Sequence, residues 1–293
     1  MRSVLKKGYA KINLHLDITG IMENGYHSVQ TVMQSLTLCD DVTVSLRNDG
    51  MYAVTSNIAG VPTDEKNLAV KAAKALEARL GREIGADIHI EKRIPMAAGL
   101  AGGSADAAAT LTALNELLGE PLTVGELCEI GSALGADVPF CIVGGSAYAD
   151  GKGDVLYPFP SLPDCYVVVA CGGEGVSTPW AYRTLDEKYN GFPNGSYCPR
   201  GIEKLKKAME NRDISAICEN TYNIFEEPIL AERPVAKNIK DIMLDSGALG
   251  AMMSGSGPSV FGIFDDKKRA EAAVHSLEKS FDRQISVSLC RPL

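Results

Sequence analysis

Three glycines, Gly99, Gly102 and Gly103, stand between an alternating stretch at residues 86–91 and an alanine-rich stretch at 105–118. Ala86, Ile88 and Ile90 share one face at a spacing of two, which predicts a strand. The alanine-rich stretch predicts a buried helix with Ser104 as its N-cap. Glycine at such a junction lets backbone N–H groups approach an anion, and the helix dipole adds positive charge there. The chemistry this predicts is phosphate binding along residues 95–109, opened by Pro95; the plain alternative is a tight turn. The spacing is not that of a Walker A loop, because the one Gly-Lys pair, Gly151 and Lys152, is followed by Gly153. Nor is it the dinucleotide G-x-G-x-x-G.

Two further places offer polar side chains in a pattern. In residues 10–18, Ile12, Leu14, Leu16 and Ile18 alternate with Lys11, Asn13, His15 and Asp17, a strand with one apolar and one polar face. A solvated polar face is the ordinary reading, but Lys11 and Asn13 are neighbours on it and can reach one ligand. Asp137 lies between Ala136 and Val138, just before Pro139. It is either a turn-capping Asp or a carboxylate set among apolar groups for chemistry.

The elements that must position these residues read as follows. Residues 20–27 form a turn, with Asn24-Gly25 as its hairpin signal and Tyr26 and His27 at its end. Strands are predicted at 42–46 and 51–55. Asp64 caps a helix carrying Leu68, Ala72, Leu76 and Leu80, with Asn67 in its first turn. Residues 124–134 predict another helix, and 140–149 a strand broken at Gly144 and Gly145. The prolines of 157–163 suit an extended connection between two domains, 1–160 and 161–293. Beyond it come a buried strand at 165–171, a loop at 189–200, and helices at 201–211, 214–225 and 235–246. Strands at 248–253 and 259–264 flank a second glycine loop, Ser254, Gly255, Ser256 and Gly257. A helix bearing Ala270, Ala273, Val274 and Leu277 and a last strand at 284–289 complete a ferredoxin-like rhythm.

The chain has 293 residues, 45% hydrophobic and 23% charged, which is ordinary for a globular protein of one large or two modest domains. A net charge of −8 argues against a general nucleic-acid binder, so an anionic ligand must be held by local donors. No apolar run approaches a membrane span, and no apolar stretch follows Arg2, Lys6 and Lys7 as in a secretory leader. Eight cysteines without a C-x-x-C read as reduced residues of a cytoplasmic protein.

Lys11-Ile12-Asn13, the glycine segment at 95–109 and the loop at 253–258, taken in that order, resemble the GHMP kinases, the family of galactokinase, homoserine kinase and mevalonate kinase. Gly25-Tyr26-His27 and residues 135–139 extend the likeness over nearly the whole chain, toward members that act on a cytidylyl derivative of methylerythritol. The resemblance implies an α+β, two-domain fold: an N-terminal domain like the second domain of ribosomal protein S5 and a ferredoxin-like C-terminal domain, whose last strand returns to the first. It implies transfer of the ATP γ-phosphate to a tertiary hydroxyl, with Asp137 as general base and Lys11 beside it as the second catalytic residue. Asn13, Tyr26, His27 and Tyr182 then bind the substrate, with Trp180 as the alternative to Tyr182. Pro95, Gly99, Gly102, Gly103, Ser104, Asn67, Lys92 and Asn115 bind ATP, and Ser254 to Gly257 close on phosphate or substrate.

The sequence departs from that pattern in two ways. Ala97, Ala98 and Ala101 interrupt the glycine run, and Ala105 stands where many relatives carry a hydroxyl, with Ser104 as the substitute. No metal-ligand cluster stands out, so Mg²⁺ is expected to be held through ATP. The expected partners are small molecules, with neither nucleic acid nor membrane, for a monomer or weak homodimer. The alternatives are a kinase of this family for homoserine or mevalonate, against which Gly25-Tyr26-His27 argues, and a non-catalytic nucleotide binder, against which Lys11 and Asp137 argue.

Overall fold

A computed structural model describes residues 2–189 and 197–293. The chain divides into two compact units: residues 1–10, 39–96 and 101–144, and residues 11–38, 97–100 and 145–293. Two long strands, β1 (Ser3–Ile21) and β2 (His27–Arg47), pass from one unit to the other.

In the first unit, β3 (Tyr52–Ser56) is followed by α1 (Leu68–Leu80), β4 (Gly85–Glu91), α2 (Gly102–Leu117), α3 (Val124–Leu134) and α4 (Val138–Val143). β4 lies between β3, which it pairs in parallel, and the C-terminal half of β2, which it pairs antiparallel with Asp41 opposite Glu91. The alternating side chains Ile88 and Ile90 meet Ala72, Leu76, Leu111 and Leu114 of the helices in one core. Thr123 caps α3 in a capping box with Glu126, which fixes the helix start where the pattern placed it.

The second unit continues with β5 (Ser146–Asp150), β6 (Val155–Pro158), β7 (Tyr166–Cys171), α5 (Thr178–Lys188), α6 (Glu203–Glu210) and α7 (Ile214–Glu219). Then come β8 (Tyr222–Asn223), α8 (Glu226–Glu232), α9 (Pro234–Asp245), β9 (Gly250–Met253), β10 (Val260–Phe264), α10 (Lys267–Ser280) and β11 (Ser286–Cys290). The sheet β11-β7-β10-β9 is antiparallel throughout, the ferredoxin-like order, and buries Val168, Val260 and Phe264 against Ile239, Met243 and Leu277 of α9 and α10.

Several expectations are corrected. The polar face of β1 is not solvated: Lys11, Asn13, His15 and Asp17 are all buried. Asn67, not Asp64, caps α1; its Oδ1 accepts from Ala69 N at 2.9 Å, while Asp64 accepts from Lys66 N. Ser104 is not an N-cap, because α2 already starts at Gly102, after Ala101 in the left-handed conformation (φ 59°), and no side chain caps it. Residues 138–143 are helical rather than extended, since Pro139 sits in the first turn, where its missing N–H costs nothing; the strand starts only after Gly144 and Gly145, both at positive φ. The helix expected at 214–225 stops at Glu219, because Tyr222 and Asn223 pair in parallel with His15 and Leu16 of β1. α5, not anticipated, opens with Pro179 in its first turn. β11 stays beside β7, and the residues after it reach the earlier chain, where Thr37 N donates to Arg291 O and Leu293 N donates to Ser35 O. Most of the loop expected at 189–200 lies outside the described residues.

Candidate active site

The two glycine loops meet in backbone contact within the second unit. Gly99 has φ +76°, and a Cβ on it would lie 2.1 Å from the Ser254 carbonyl oxygen. The Ser254 hydroxyl donates to Gly99 O at 3.0 Å, and Ser259 N donates to Ala98 O at 3.3 Å. Buried Asn223 holds the second loop from below, donating Nδ2 to Met253 O (2.7 Å) and Gly255 O (2.8 Å). Ser254 is thus spent on the contact between loops, whereas the Ser256 hydroxyl lies 3.2 Å from that of Thr178.

Immediately after this contact, α2 begins in the first unit. Ala105 N is the first to bond within the helix, to Ala101 O, so the amides of Gly102, Gly103 and Ser104 have no acceptor inside it and no side chain caps them. A helix start of this kind suits an anion. Behind it lies a charged triad. Lys92 Nζ bonds Asp40 Oδ2 and, at 2.8 Å, Asp106 Oδ2, with all three side chains buried. Asp40 Oδ1 also accepts from Arg93 N (2.6 Å) and Ile94 N (2.8 Å), fixing the chain ahead of Pro95. Burial pushes the Asp106 carboxyl up to about 7, with Lys92 pulling it down and Asp40 pushing it further up.

Asn67 and Asn115 are equally committed. Asn67 Nδ2 donates to Pro62 O (2.7 Å) beyond its capping bond, and Asn115 spans Leu122 with both ends of its amide. The local backbone is held by these side chains, and Lys92 is held by its carboxylates.

Along β1 in the second unit, Lys11 Nζ donates to Asn13 Oδ1 at 2.7 Å, Asn13 Nδ2 to Thr31 Oγ1 at 2.8 Å, and Thr31 Oγ1 to His15 O at 2.7 Å. This one-way chain fixes the orientation of the Asn13 amide. Lys11 N bonds Leu100 O at 3.2 Å, tying the strand to the first glycine loop. Asp137, in the first unit, precedes α4, and its carbonyl accepts from Cys141 N at 3.0 Å. It makes no side-chain cap to that helix.

The expected aromatic group is partly assembled. The His27 and Tyr182 rings lie 4.6 Å apart at 32°, and Tyr182 meets Phe225 edge-on at 4.9 Å. His27 Nε2 is 2.8 Å from Asp186 Oδ1, one helical turn beyond Tyr182 on α5. Tyr26 is 63% exposed on the turn, and Arg233 lies over the Trp180 ring at 5.1 Å.

Two family models match the chain, the GHMP kinases N terminal domain over residues 67–145 and the GHMP kinases C terminal domain over 205–283. The 4-diphosphocytidyl-2-C-methyl-D-erythritol kinase of Exiguobacterium sibiricum is 42% identical, covering 94% of both chains, and that of Caldicellulosiruptor bescii 41%, covering 97% of both. The chain belongs to the GHMP kinase family. A solved 4-(cytidine 5'-diphospho)-2C-methyl-D-erythritol kinase superposes on this GHMP kinase with a TM-score of 0.79 at 30% identity, covering 98% of this chain and 99% of that one. Homoserine kinase from Cytophaga hutchinsonii shares the fold, with a TM-score of 0.75 at 22% identity over 100% and 95% of the two chains.

Within this GHMP kinase the N-terminal match contains the first glycine loop, Lys92, Asn115 and Asp137, and the C-terminal match contains Ser254 to Gly257. Lys11, Asn13, Tyr26, His27 and Tyr182 lie outside both. Sequence reasoning missed Asp40, Asp106, Thr31, Asn223 and Asp186. Only Asp186 carried a usable signal, an acidic residue four positions after Tyr182 on a helix.

Proposed function

We propose that the chain transfers the γ-phosphate of ATP to the 2-hydroxyl of 4-diphosphocytidyl-2-C-methyl-D-erythritol, giving the 2-phosphate and ADP in the non-mevalonate route to isoprenoid precursors. The observation that carries the substrate choice is the His27–Tyr182 ring pair with Asp186. These residues come from distant parts of the chain, and together they make a flat face with a polar edge, which suits a pyrimidine.

Phosphoryl transfer is chiefly positioning and charge stabilisation. The amides of Gly102, Gly103 and Ser104 hold ATP phosphate oxygens, with Pro95, Gly99 and Ser254 to Gly257 shaping the loops around them. Asn67, Lys92 and Asn115 lie along the adenosine, acting through the backbone they hold. Asp137 takes the proton of the attacking hydroxyl, whose oxygen bonds to the γ-phosphorus as the bond to the bridging oxygen breaks and ADP leaves. Lys11, oriented through Asn13, steadies the attacking oxygen. Asn13 holds the erythritol, and Tyr26, His27 and Tyr182 hold the cytosine. We expect Mg²⁺ to be held through ATP, where it would neutralise phosphate charge.

The division into domains at 1–160 and 161–293 rests on the family matches, which fall on either side of residue 160, whereas the compact units cut the chain differently, with 11–38, 97–100 and 145–160 joining the second. No described helix is long and apolar enough to cross a membrane. We place the enzyme in the cytoplasm, as a monomer or weak homodimer acting on small molecules and not on nucleic acid. Coupled ADP release tests the reading. The cytidylyl substrate is expected to turn over, while methylerythritol phosphate without the nucleotide, homoserine and mevalonate are poor acceptors. Equal turnover of the fragment lacking the nucleotide overturns the substrate assignment.

A further inference from the structure

A cleft of about 420 Å³ lies within the second unit, between β1, the start of α6 and the α7–β8 turn. At its floor is His15, only 1% exposed, whose Nε2 has no hydrogen-bond partner among the described residues. The other ring nitrogen faces the Arg200 backbone through a bond that favours its proton, so in the neutral ring Nε2 carries the lone pair. Burial first, and then the Arg200 charge, hold the ring well below the usual histidine range, at about 4, so it is neutral near pH 7. Tyr222 forms one wall, its ring 5.8 Å from that of His15. Over Tyr222 sits the Arg200 guanidinium, 4.1 Å from the ring centre, and Arg200 N is anchored to buried Asp17 at 2.7 Å. Lys204, Glu203 and Glu219 complete the charged lining.

This lining is selective in a definite way. A buried acceptor without a partner asks for an N–H or O–H donor. A simple cation is opposed by Arg200 beside His15, and a multiply charged anion by Glu203 and Glu219. A molecule carrying both charges satisfies the cleft: a carboxylate for Arg200 and Lys204, an ammonium for His15 Nε2. The volume suits a small ligand. None of these residues has a part in the proposed phosphoryl transfer. We propose that this cleft is a second ligand site, for a small zwitterion of the amino-acid class.

The test is calorimetric titration of the full chain with the standard amino acids one at a time, with acetate and methylamine as single-charge controls. It is read alongside the nitrogen resonances of the His15 ring. The expected result is saturable binding of at least one amino acid with a shift of the Nε2 resonance, neither control binding below about 10 mM. Affinity is expected to fall about tenfold or more in both H15F and R200Q. R200Q changes an exposed side chain and decides the matter if H15F does not fold. The proposal is overturned if no amino acid binds by about 10 mM, if a control binds as well as the zwitterion, or if R200Q keeps wild-type affinity. It is also overturned if binding leaves Nε2 unshifted, which would leave only water at the floor of the cleft. Kinase turnover on the cytidylyl substrate, measured in parallel, fails or succeeds independently of these outcomes.

Discussion

Replacing Asp106 with Asn isolates the electrostatic state of the triad behind the α2 start. The carboxyl is buried, bonded to Lys92 Nζ through Oδ2, and its Oδ1 has no partner among the described residues. Its folded pKa is about 7, against an ordinary value of 3.8, so the folded chain keeps a proton that the unfolded chain releases. The sign follows from linkage. The stabilising contribution is fully present below about 4 and is lost as pH rises through about 7. Each pH unit between those limits removes about 1.4 kcal/mol, so between about pH 5 and pH 8 the wild type loses roughly 3 kcal/mol that an amide of the same shape does not lose. Asp106→Asn still offers an oxygen to Lys92 and exchanges one unpartnered atom for another. The difference between the two proteins is therefore expected to be constant below about pH 4, to shift progressively in favour of the variant between about pH 4 and pH 7, and to be constant again above about pH 7. His15 and Asp17, whose shifts also bear on stability in acid, are common to both and cancel in the difference. Urea unfolding followed by Trp180 fluorescence and circular dichroism across that pH range measures it. Parallel pH profiles for the two proteins would refute the buried, proton-holding carboxyl.

Three further outcomes follow from the site. Asp137→Asn is expected to retain both substrates and slow transfer by about 10²–10⁴ in single-turnover assays; near wild-type rates remove Asp137 from the mechanism. Tyr182→Ala breaks the 4.6 Å ring contact with His27 and is expected to raise KM for the cytidylyl substrate about five- to a hundredfold, the equivalent of roughly 1–3 kcal/mol of stacking, with KM for ATP nearly unchanged. If both constants rise together, Tyr182 is structural. Gly99→Ala forces a Cβ to within 2.1 Å of Ser254 O at a φ of +76° and is expected to cost more than about 2 kcal/mol of stability and most of the activity; a wild-type melting temperature would show that the loops can part freely.

What the sequence made legible is what depends on period and on local backbone rules. Apolar alternation located β1 and β4, the buried strand read at 165–171 corresponds to β7, and the helix read at 124–134 matches α3. The errors are places where a distant partner overrode a local preference. Residues 222–223 leave the helical pattern because the edge of β1 offers them hydrogen bonds, and the polar side of β1 is buried because Thr31 and the segment at 197–200 supply partners for it. A period-two pattern says that two faces differ; it does not say which face meets water. The His27–Tyr182 meeting was legible only through likeness to a family, since the two positions share no local rule.

The charged triad marks the limit of one-dimensional reading most clearly, because its members look ordinary in the sequence. Asp40 and Lys92 each stand in a polar neighbourhood, and Asp106 is a lone acid in the first turn of what reads as a buried alanine-rich helix. The β2–β4 register brings the first two together: with Asp41 opposite Glu91, one further antiparallel step sets Asp40 opposite Lys92. The first turns of α2 then add Asp106. Gly102 belongs to the same arrangement, since a Cβ there would lie 3.0 Å from Lys92 Nζ and 3.0 Å from Ile94 Cγ2. Its φ is not in the left-handed region, unlike that of Gly99, so conformational freedom is not what this position uses. It uses the absence of a side chain, which lets the helix start close over a buried ammonium. The run that reads in sequence as one glycine-rich loop therefore holds two devices, a backbone approach at Gly99 and a charge seated under Gly102, and only their coordinates separate them.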